Sequence, residues 1–126
     1  MGRALGVGEP RGGIRLAGID FPERGQAFGT KAKEALLARV GGQDVPVEWE
    51  KRDRYGRVVG KVIDDRGDVN LDLVRAGMCS WYRKYAGEQS VLDQVLYMEA
   101  EASSRVGRVG LWRNLDPVPP WEWRRR

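Results

Sequence analysis

The polar residues best suited to catalysis lie between Arg15 and Glu23. Within that stretch, Asp20 and Glu23 stand on either side of Pro22, which directs a turn at the end of a predicted strand. Two carboxylates three residues apart at such a corner can converge on one cation or on one water molecule. The same Asp-x-Pro-Glu pattern is also common in capped surface turns, so this stretch alone leaves both interpretations open.

A second group of charged residues spans positions 51–57 and ends in Arg57. By itself it is typical of an exposed charged hairpin. If it faces the first group, Arg15 and Arg57 supply forked donors to a phosphate, while Asp20 and Glu23 supply a metal ligand and a base. Cleavage of a phosphodiester bond needs that combination, because charge builds on the equatorial oxygens while an activated water attacks.

The composition excludes several other kinds of chemistry. The chain has 126 residues with no histidine and a single cysteine, Cys79. A Ser-His-Asp triad, an imidazole base and a histidine-ligated zinc are therefore excluded, and so is an intrachain disulfide. Acid-base chemistry must fall to carboxylates, lysines, tyrosines or water, and any metal should be a hard cation held by oxygens.

The charge is unevenly distributed. The net charge of +4 equals that of residues 105–126, which hold six arginines and two acids. Such a basic end fits either a solvated tail or an anionic partner. No run of about 18 apolar residues is present, and the first twenty residues lack a secretory hydrophobic region, so we expect no membrane association and, as written, no export.

The first half of the chain alternates between extended and helical patterns. A glycine-rich opening should connect into a strand from Ile14 to Ile19, and a helix should begin at Gly29-Thr30 and end at Gly41-Gly42. Two strands, at about 45–51 and 57–63, should pair as a hairpin, with Pro46 at a strand start or an edge.

The second half should be mainly helical. A short helix capped by Asn70 and ended by Gly77 precedes an extended segment over 80–85. A long helix should begin at Ser90, and its apolar stripe should pack in the core, the stripe being Val91, Val95, Met98, Ala102 and Val106. This order of elements favours a small barrel with an inserted helix, a mainly β fold with helices (α+β).

Four motifs in this chain resemble those of the thermonuclease family, the staphylococcal-nuclease-like domains. They are Arg15–Glu23 (RLAGIDFPE), Asp53–Arg57 (DRYGR), Asn70–Gly77 (NLDLVRAG) and Gly110–Trp112 (GLW). Their order and approximate spacing follow the family over about residues 14–112. The resemblance implies an OB-fold small barrel with three helices, occupying residues 1–112 and followed by a Pro/Trp/Arg-rich tail over 113–126.

The resemblance also implies a calcium-dependent nuclease acting on DNA and RNA. Carried over by motif, Asp20 resembles a side-chain calcium ligand and Phe21 the residue that lends its backbone carbonyl. Glu23 resembles the general base, or the group that orients the attacking water, and Arg15 and Arg57 resemble the two phosphate clamps.

Three further residues resemble contacts to the nucleic acid, namely Arg54, Tyr55 and Tyr85. Stacking a base on a tyrosine ring tolerates any sequence, and we expect single-stranded or frayed substrates.

One departure from the family concerns the metal. Members carry an Asp-Gly-Asp stretch on the preceding strand, whose second aspartate is another calcium ligand; counted back from Arg15, it would fall at or just before Met1. No such motif is present, and Glu9 is the only acid before Asp20. Losing one anionic ligand weakens a calcium site. We also expect a truncated first strand, which would leave a barrel edge unpaired and open to self-association.

Three explanations of this departure fit the sequence equally. The sequence begins at a misplaced start, or it is a fragment with weak activity, or it is a degenerate domain that binds without cutting. With a longer natural start, an export signal to the periplasm or the exterior would become possible. The two functions to distinguish are thus a calcium-dependent nuclease and a noncatalytic module that binds nucleic acid or protein.

Overall fold

The computed structural model describes residues 2–5, 13–22, 25–26, 28–42, 45–114 and 117–125, with the backbone alone for residues 2–5. Its strands are β1 (Gly2–Leu5), β2 (Ile14–Leu16), β3 (Ile19–Asp20), β4 (Pro46–Arg52), β5 (Val58–Asp64), β6 (Gly67–Asp68) and β7 (Ser80–Trp81). Its α-helices are α1 (Gly29–Val40), α2 (Val69–Arg75), α3 (Val91–Val106) and α4 (Pro120–Trp123), and two 3₁₀ segments span Arg83–Glu88 and Gly110–Arg113.

The strands form two sheets. In the larger one the order is β1-β4-β5-β2, with β6 paired to β5, and the smaller sheet consists of β3 and β7. Strand β2 runs parallel to β5, whereas β1 and β5 are both antiparallel to β4. The predicted α+β class is confirmed, and the arrangement is consistent with an OB-like fold, although the described strands do not close into a ring.

The first strand is short, as expected, but it is present. Gly2 pairs with Trp49 and Leu5 pairs with Pro46, so β1 covers this edge of β4. The edge of β4 is therefore paired over Pro46–Trp49, while self-association through an unpaired edge stays a prediction. Residues 6–12 of the predicted glycine-rich connection lie outside the described residues.

Several predicted elements are confirmed within one residue. Helix α1 has the predicted bounds, the 46–64 hairpin forms, and Pro46 begins its first strand, where the missing N–H costs least. The hydroxyl of Ser90 accepts the amide hydrogen of Asp93 and caps α3.

The strand predicted over 14–19 is divided in two. A turn at Ala17-Gly18 separates β2 from β3, and Gly18 has φ 76°. A Cβ there would lie 2.3 Å from the side-chain nitrogen of Gln89, so both the conformation and the space favour glycine. Because of this turn, Ile19 enters the core while Arg15 stays at its rim.

Helix α2 is capped by Asp68 and not by Asn70. The carboxylate of Asp68 accepts from the amide of Leu71 at 2.9 Å. Asn70 is fully buried, and its amide joins three backbone groups by accepting from Val62 N and donating to the carbonyls of Ala17 and Gly60. The predicted cap is in fact a buried clamp between the turn after β2 and strand β5.

Helix α3 buries a different face from the one predicted. The predicted stripe is exposed: Val91 is 78% and Val106 87% exposed, and its other members, Val95, Met98 and Ala102, are exposed as well. The buried positions are Tyr97, Ala100, Glu101 and Ser104. Tyr97 donates its hydroxyl hydrogen to Asp68, and Glu101 accepts from the amide of Trp81, so polar side chains of α3 satisfy groups of the core.

The core lies between the larger sheet and helices α2 and α3. Buried apolar side chains from β5, α2, β7 and α3 form one cluster, to which Val47 of β4 and Ile19 of β3 add. Arg39 attaches α1 to this body through ion pairs with Asp64 and Asp72, and its guanidinium lowers the pKa of Asp64 to about 2.

The C-terminal segment is ordered on the same body. The sequence predicts an extended tail, whereas Pro120–Trp123 forms α4, with Pro119 as its N-cap. Trp121 stacks on Tyr82, with ring centroids 5.2 Å apart and planes 18° apart. The extended segment predicted over 80–85 is likewise shorter, because only Ser80–Trp81 is a strand. Among the described residues, no helix has the length and apolar character that crossing a membrane requires.

Candidate functional site

A pocket of about 1060 Å³ lies where β2, β3, the β4–β5 hairpin and the Arg83–Glu88 segment meet. Seven of the predicted site residues line it, namely Arg15, Asp20, Phe21, Arg54, Tyr55, Arg57 and Tyr85. The eighth, Glu23, lies outside the described residues. The two charged groups recognised in the sequence therefore face one cavity, although some thirty residues separate them.

Asp53 organises the hairpin that carries Arg57. Its Oδ1 accepts from the amides of Tyr55 and Arg57 at 2.9 and 3.0 Å, and its Oδ2 lies 2.8 Å from Arg57 Nε. Gly56, with φ 81°, supplies the left-handed residue that this turn requires. Burial raises the pKa of Asp53, but these hydrogen bonds outweigh it and keep that pKa below its usual value.

Arg15 is held between two carboxylates. Its Nη2 donates to both carboxylate oxygens of Glu88, at 3.1 and 2.8 Å, and its Nε lies 3.5 Å from Asp53 Oδ2. Its guanidinium also lies 4.8 Å from the ring centroid of Tyr85. Because Arg57 contacts the same Oδ2, one carboxylate oxygen holds both predicted clamps.

Glu88 is the anchor of Arg15 from the far side of the pocket. Its side chain is 10% exposed and also lies 3.0 Å from Lys51 Nζ. Burial raises the pKa of Glu88, but hydrogen bonds from Arg15 and Lys51 outweigh it and lower that pKa below its usual value. The lowered pKa favours the ionised form of Glu88, which is the form that pairs with Arg15.

Asp20 faces the pocket from the small sheet. It lies in β3 opposite Ser80, and its carboxylate accepts two hydrogen bonds from Arg124, at 3.0 and 2.7 Å. Phe21 follows it and lines the same cavity. A cation of the chain's own tail therefore occupies the carboxylate that the sequence assigns to a metal.

The tyrosines stand at the open side of the pocket. Tyr55 is 67% exposed and Tyr85 37% exposed. Arg54 donates to the hydroxyl of Tyr55 at 2.7 Å and also lies over its ring, as Arg57 does. Exposed rings bordered by guanidiniums are suited to stacking on bases beside a phosphate.

The residues predicted to hold calcium offer the right kind of atom, but few of them come together. Asp20 and the carbonyl of Phe21 are oxygen donors, which calcium prefers. Within the described ranges, however, no three acidic, cysteine or histidine side chains come together as a metal cluster. The described residues therefore fit a calcium site that depends on water, substrate or further carboxylates for most of its ligands.

Comparison with known proteins identifies the family. Residues 13–114 match the family described as Staphylococcal nuclease homologue. The chain belongs to this family. The resemblance inferred from the four motifs is thereby confirmed, because the matched range contains all of them.

Named relatives of the staphylococcal nuclease homologue family align along most of the chain. An Escherichia coli protein called "Uncharacterized endonuclease" is 43% identical over 90% of this chain and 71% of its own length. A Haemophilus influenzae protein of the same name is 34% identical over 90% of this chain and 60% of its own. A Shigella flexneri "Micrococcal nuclease" is 37% identical over 89% of this chain and 67% of its own. The chain thus spans about two thirds of the length of these relatives.

Two residues that shape the site are missing from the sequence-based prediction. Glu88 lies 73 positions from Arg15, and Arg124 lies 104 positions from Asp20. No local spacing signals either contact. The charge excess of the tail was visible in the sequence, but its target was not.

Proposed function

We propose that this chain is a nuclease that hydrolyses phosphodiester bonds of DNA or RNA with the help of calcium. The observation that carries the proposal is the shared contact of Arg15 and Arg57 with Asp53 Oδ2 in the pocket that Asp20 lines. Two guanidiniums held this closely are placed to donate to the oxygens of one phosphate. Membership of a family with named nucleases supports the same reaction.

The arginines act on the charge that develops during cleavage. As water attacks phosphorus, negative charge grows on the equatorial oxygens, and forked N–H donors stabilise it. The Arg57 side chain is 41% exposed while its Nε is held by Asp53, so its position is set before substrate arrives. Arg15 is oriented in the same way by Glu88, which reduces the reorganisation that the reaction requires.

Calcium would be held by the carboxylate of Asp20 and the carbonyl of Phe21. When bound, it would supply positive charge next to the phosphate and lower the pKa of a bound water. Glu23 is assigned the orientation and deprotonation of the attacking water, on the strength of its motif position. The chain has no histidine, so the leaving oxygen takes its proton from water or from a lysine or tyrosine that lines the pocket.

The exposed tyrosines favour single-stranded or frayed substrates. A base must leave the duplex before its face can stack on Tyr55 or Tyr85, which lie beside the phosphate clamps. Arg54 adds a positive charge next to the Tyr55 ring. These contacts read no base edges, so we expect little sequence preference.

A second candidate is a module that binds nucleic acid without cutting it. The ion pair between Arg124 and Asp20 favours this function, because it occupies the carboxylate that calcium requires. The two functions share the arginines and the tyrosines, and differ in whether metal reaches Asp20.

Incubation of the 126-residue chain with denatured DNA, with calcium and with a chelator, separates the two functions. We expect calcium-dependent cleavage that Glu23→Gln removes without changing the far-ultraviolet circular dichroism. DNA binding without cleavage above background in calcium would leave only the binding module. Cleavage by Glu23→Gln at the parent rate would reject the role assigned to Glu23.

A further inference from the structure

A second, basic pocket adjoins the first one on the side of the C-terminal helix. Its volume is about 440 Å³, and its lining comprises Tyr82, Arg83, Lys84, Trp121, Arg124 and Arg125. Three of these residues also line the larger pocket, namely Tyr82, Lys84 and Arg124. The two cavities are therefore contiguous, and four of the six lining residues of the smaller one are cations.

The smaller pocket combines an aromatic surface with positive charge. Trp121 is half-buried, with one face on Tyr82, and the rest of its ring borders the cavity. Arg83 keeps 59% of its side chain exposed even though it lies 3.5 Å from Glu101. Lys84 and Arg125 are exposed and make no ion pair with a described residue. Among the described residues, those that line this pocket include no acidic side chain.

We propose that this pocket is a nucleic-acid subsite, which holds the part of a single strand that extends beyond the cleavage pocket. Stacking on aromatic rings and phosphate contacts to arginine and lysine are the two interactions by which proteins hold single strands without reading sequence. The subsite rests on the proposed function in one respect, since it assumes that the larger pocket takes nucleic acid.

The consequence is that affinity depends on substrate length. We expect a strand of about four nucleotides to occupy the larger pocket alone and a strand of about twelve to reach α4 as well, lengths within the range that one OB fold binds. Residues that line only the smaller pocket, namely Arg83, Trp121 and Arg125, should affect the longer strand and not the shorter one.

Fluorescence anisotropy with labelled oligothymidylates of these two lengths, in chelator and over a series of salt concentrations, tests the subsite. We expect the double variant Arg83→Gln/Arg125→Gln to weaken binding of the longer strand by about tenfold. Its slope of log affinity against log salt should become less steep by about 1.4, or ~0.7 for each lost phosphate contact. The affinity of this variant for the shorter strand should change by less than about twofold, because Arg83 and Arg125 lie outside the pocket that this strand fills.

A matched control is the double variant Arg66→Gln/Arg108→Gln. It removes the same charge from exposed positions that line neither pocket. We expect it to leave the salt slope for the longer strand unchanged. Equal losses in the two double variants, equal losses on the two strands, or no loss at all would overturn the subsite.

The aromatic contribution is measured with Trp121. Trp121→Ala should weaken binding of the longer strand by about tenfold, and Trp121→Phe should restore most of it, because phenylalanine also stacks. Since binding is measured without metal, the outcome is independent of cleavage. An inactive chain with length-dependent losses would reject the nuclease and keep the subsite, while an active chain without them would reject the subsite alone.

Discussion

Arg124 places its two terminal nitrogens on the two carboxylate oxygens of Asp20, at 3.0 and 2.7 Å. A cation from the C-terminal segment thus pairs with an acid that lies 104 positions earlier in the chain. The side chain of Asp20 is 12% exposed and that of Arg124 is 41% exposed, so the pair lies at the mouth of the pocket. A cation that binds Asp20 competes with this guanidinium for the carboxylate oxygens.

Arg124→Ala should strengthen calcium binding. A partly exposed ion pair contributes up to about 1 kcal/mol, which corresponds to roughly a fivefold gain in calcium affinity when the competitor is removed. Isothermal titration calorimetry or terbium luminescence measures it. Arg125→Ala, which removes the same charge next to it, is the control and should change the affinity less. Equal calcium affinity in the parent and Arg124→Ala would show that the pair does not compete with metal.

Arg57→Ala should reduce turnover much more than substrate affinity. The guanidinium stabilises charge that exists mainly in the transition state, and loss of one such donor costs about 10²- to 10³-fold in kcat. Steady-state kinetics on denatured DNA distinguish the two effects, with Arg66→Ala as an exposed control. A change confined to KM would reject the role of clamp.

Glu88→Gln should alter stability in acid. Because the folded protein lowers the pKa of Glu88, its ionised form stabilises the fold fully above the unfolded pKa of about 4.3, and this contribution is lost as pH falls through the lower folded pKa. The variant lacks that contribution, so its free energy of unfolding should decline less between about pH 5 and pH 3. Urea unfolding at several pH values measures this, with exposed Glu99→Gln as the control. If the free energy of unfolding fell equally in the parent and in Glu88→Gln as the pH is lowered, the ion pair with Arg15 would be contradicted.

Asn70→Ala should destabilise the fold by about 3 kcal/mol. It removes the side-chain partner of the Val62 amide and of the Ala17 carbonyl in a fully buried place, and each such group costs about 1–3 kcal/mol, whereas the Gly60 carbonyl keeps the amide of Ala17. Asn70→Asp should also destabilise, because a carboxylate cannot donate to Ala17 and Gly60. Denaturant unfolding gives the free energies. A loss below about 0.5 kcal/mol, the range of ordinary surface substitutions, would be incompatible with the clamp.

Introducing glutamine on each of the two faces of α3 tests the corrected orientation of that helix. Met98→Gln, at a position 44% exposed, should change the free energy of unfolding by less than about 0.5 kcal/mol. Ala100→Gln, at a position 4% exposed, should cost about 2 kcal/mol or more, because it overfills the core and buries an amide. A larger loss of stability in Met98→Gln than in Ala100→Gln would instead support the predicted stripe as the buried face of α3.

Local patterns were sufficient for elements whose signals lie within a few residues. Gly41-Gly42 ends α1, and Pro46 marks the start of β4, because each residue acts on its own backbone. The four motifs were also sufficient to recognise the family, since they depend on order and spacing alone. Seven of the eight predicted site residues lie within those motifs and Tyr85 lies outside them, and seven of the eight line one pocket in the structure.

Contacts between distant segments could not be inferred in this way. Asn70 has the residue type of a cap, and only packing against β5 makes it a buried clamp. The stripe from Val91 to Val106 has the spacing of a core face. The sheet and α2 nevertheless pack on the side of Tyr97 and Ala100, where Tyr97 also donates a hydrogen bond to Asp68.

The residue types and motif order alone therefore determined the family, the α+β class and the side chains able to hold a phosphate. Which carboxylates orient those arginines, and which cation covers Asp20, was decided only by the tertiary structure. Glu88 and Arg124 reach their partners across 73 and 104 positions. Periodicity reports on neighbours within a helix turn or a strand repeat, whereas such ion pairs depend on how whole elements dock.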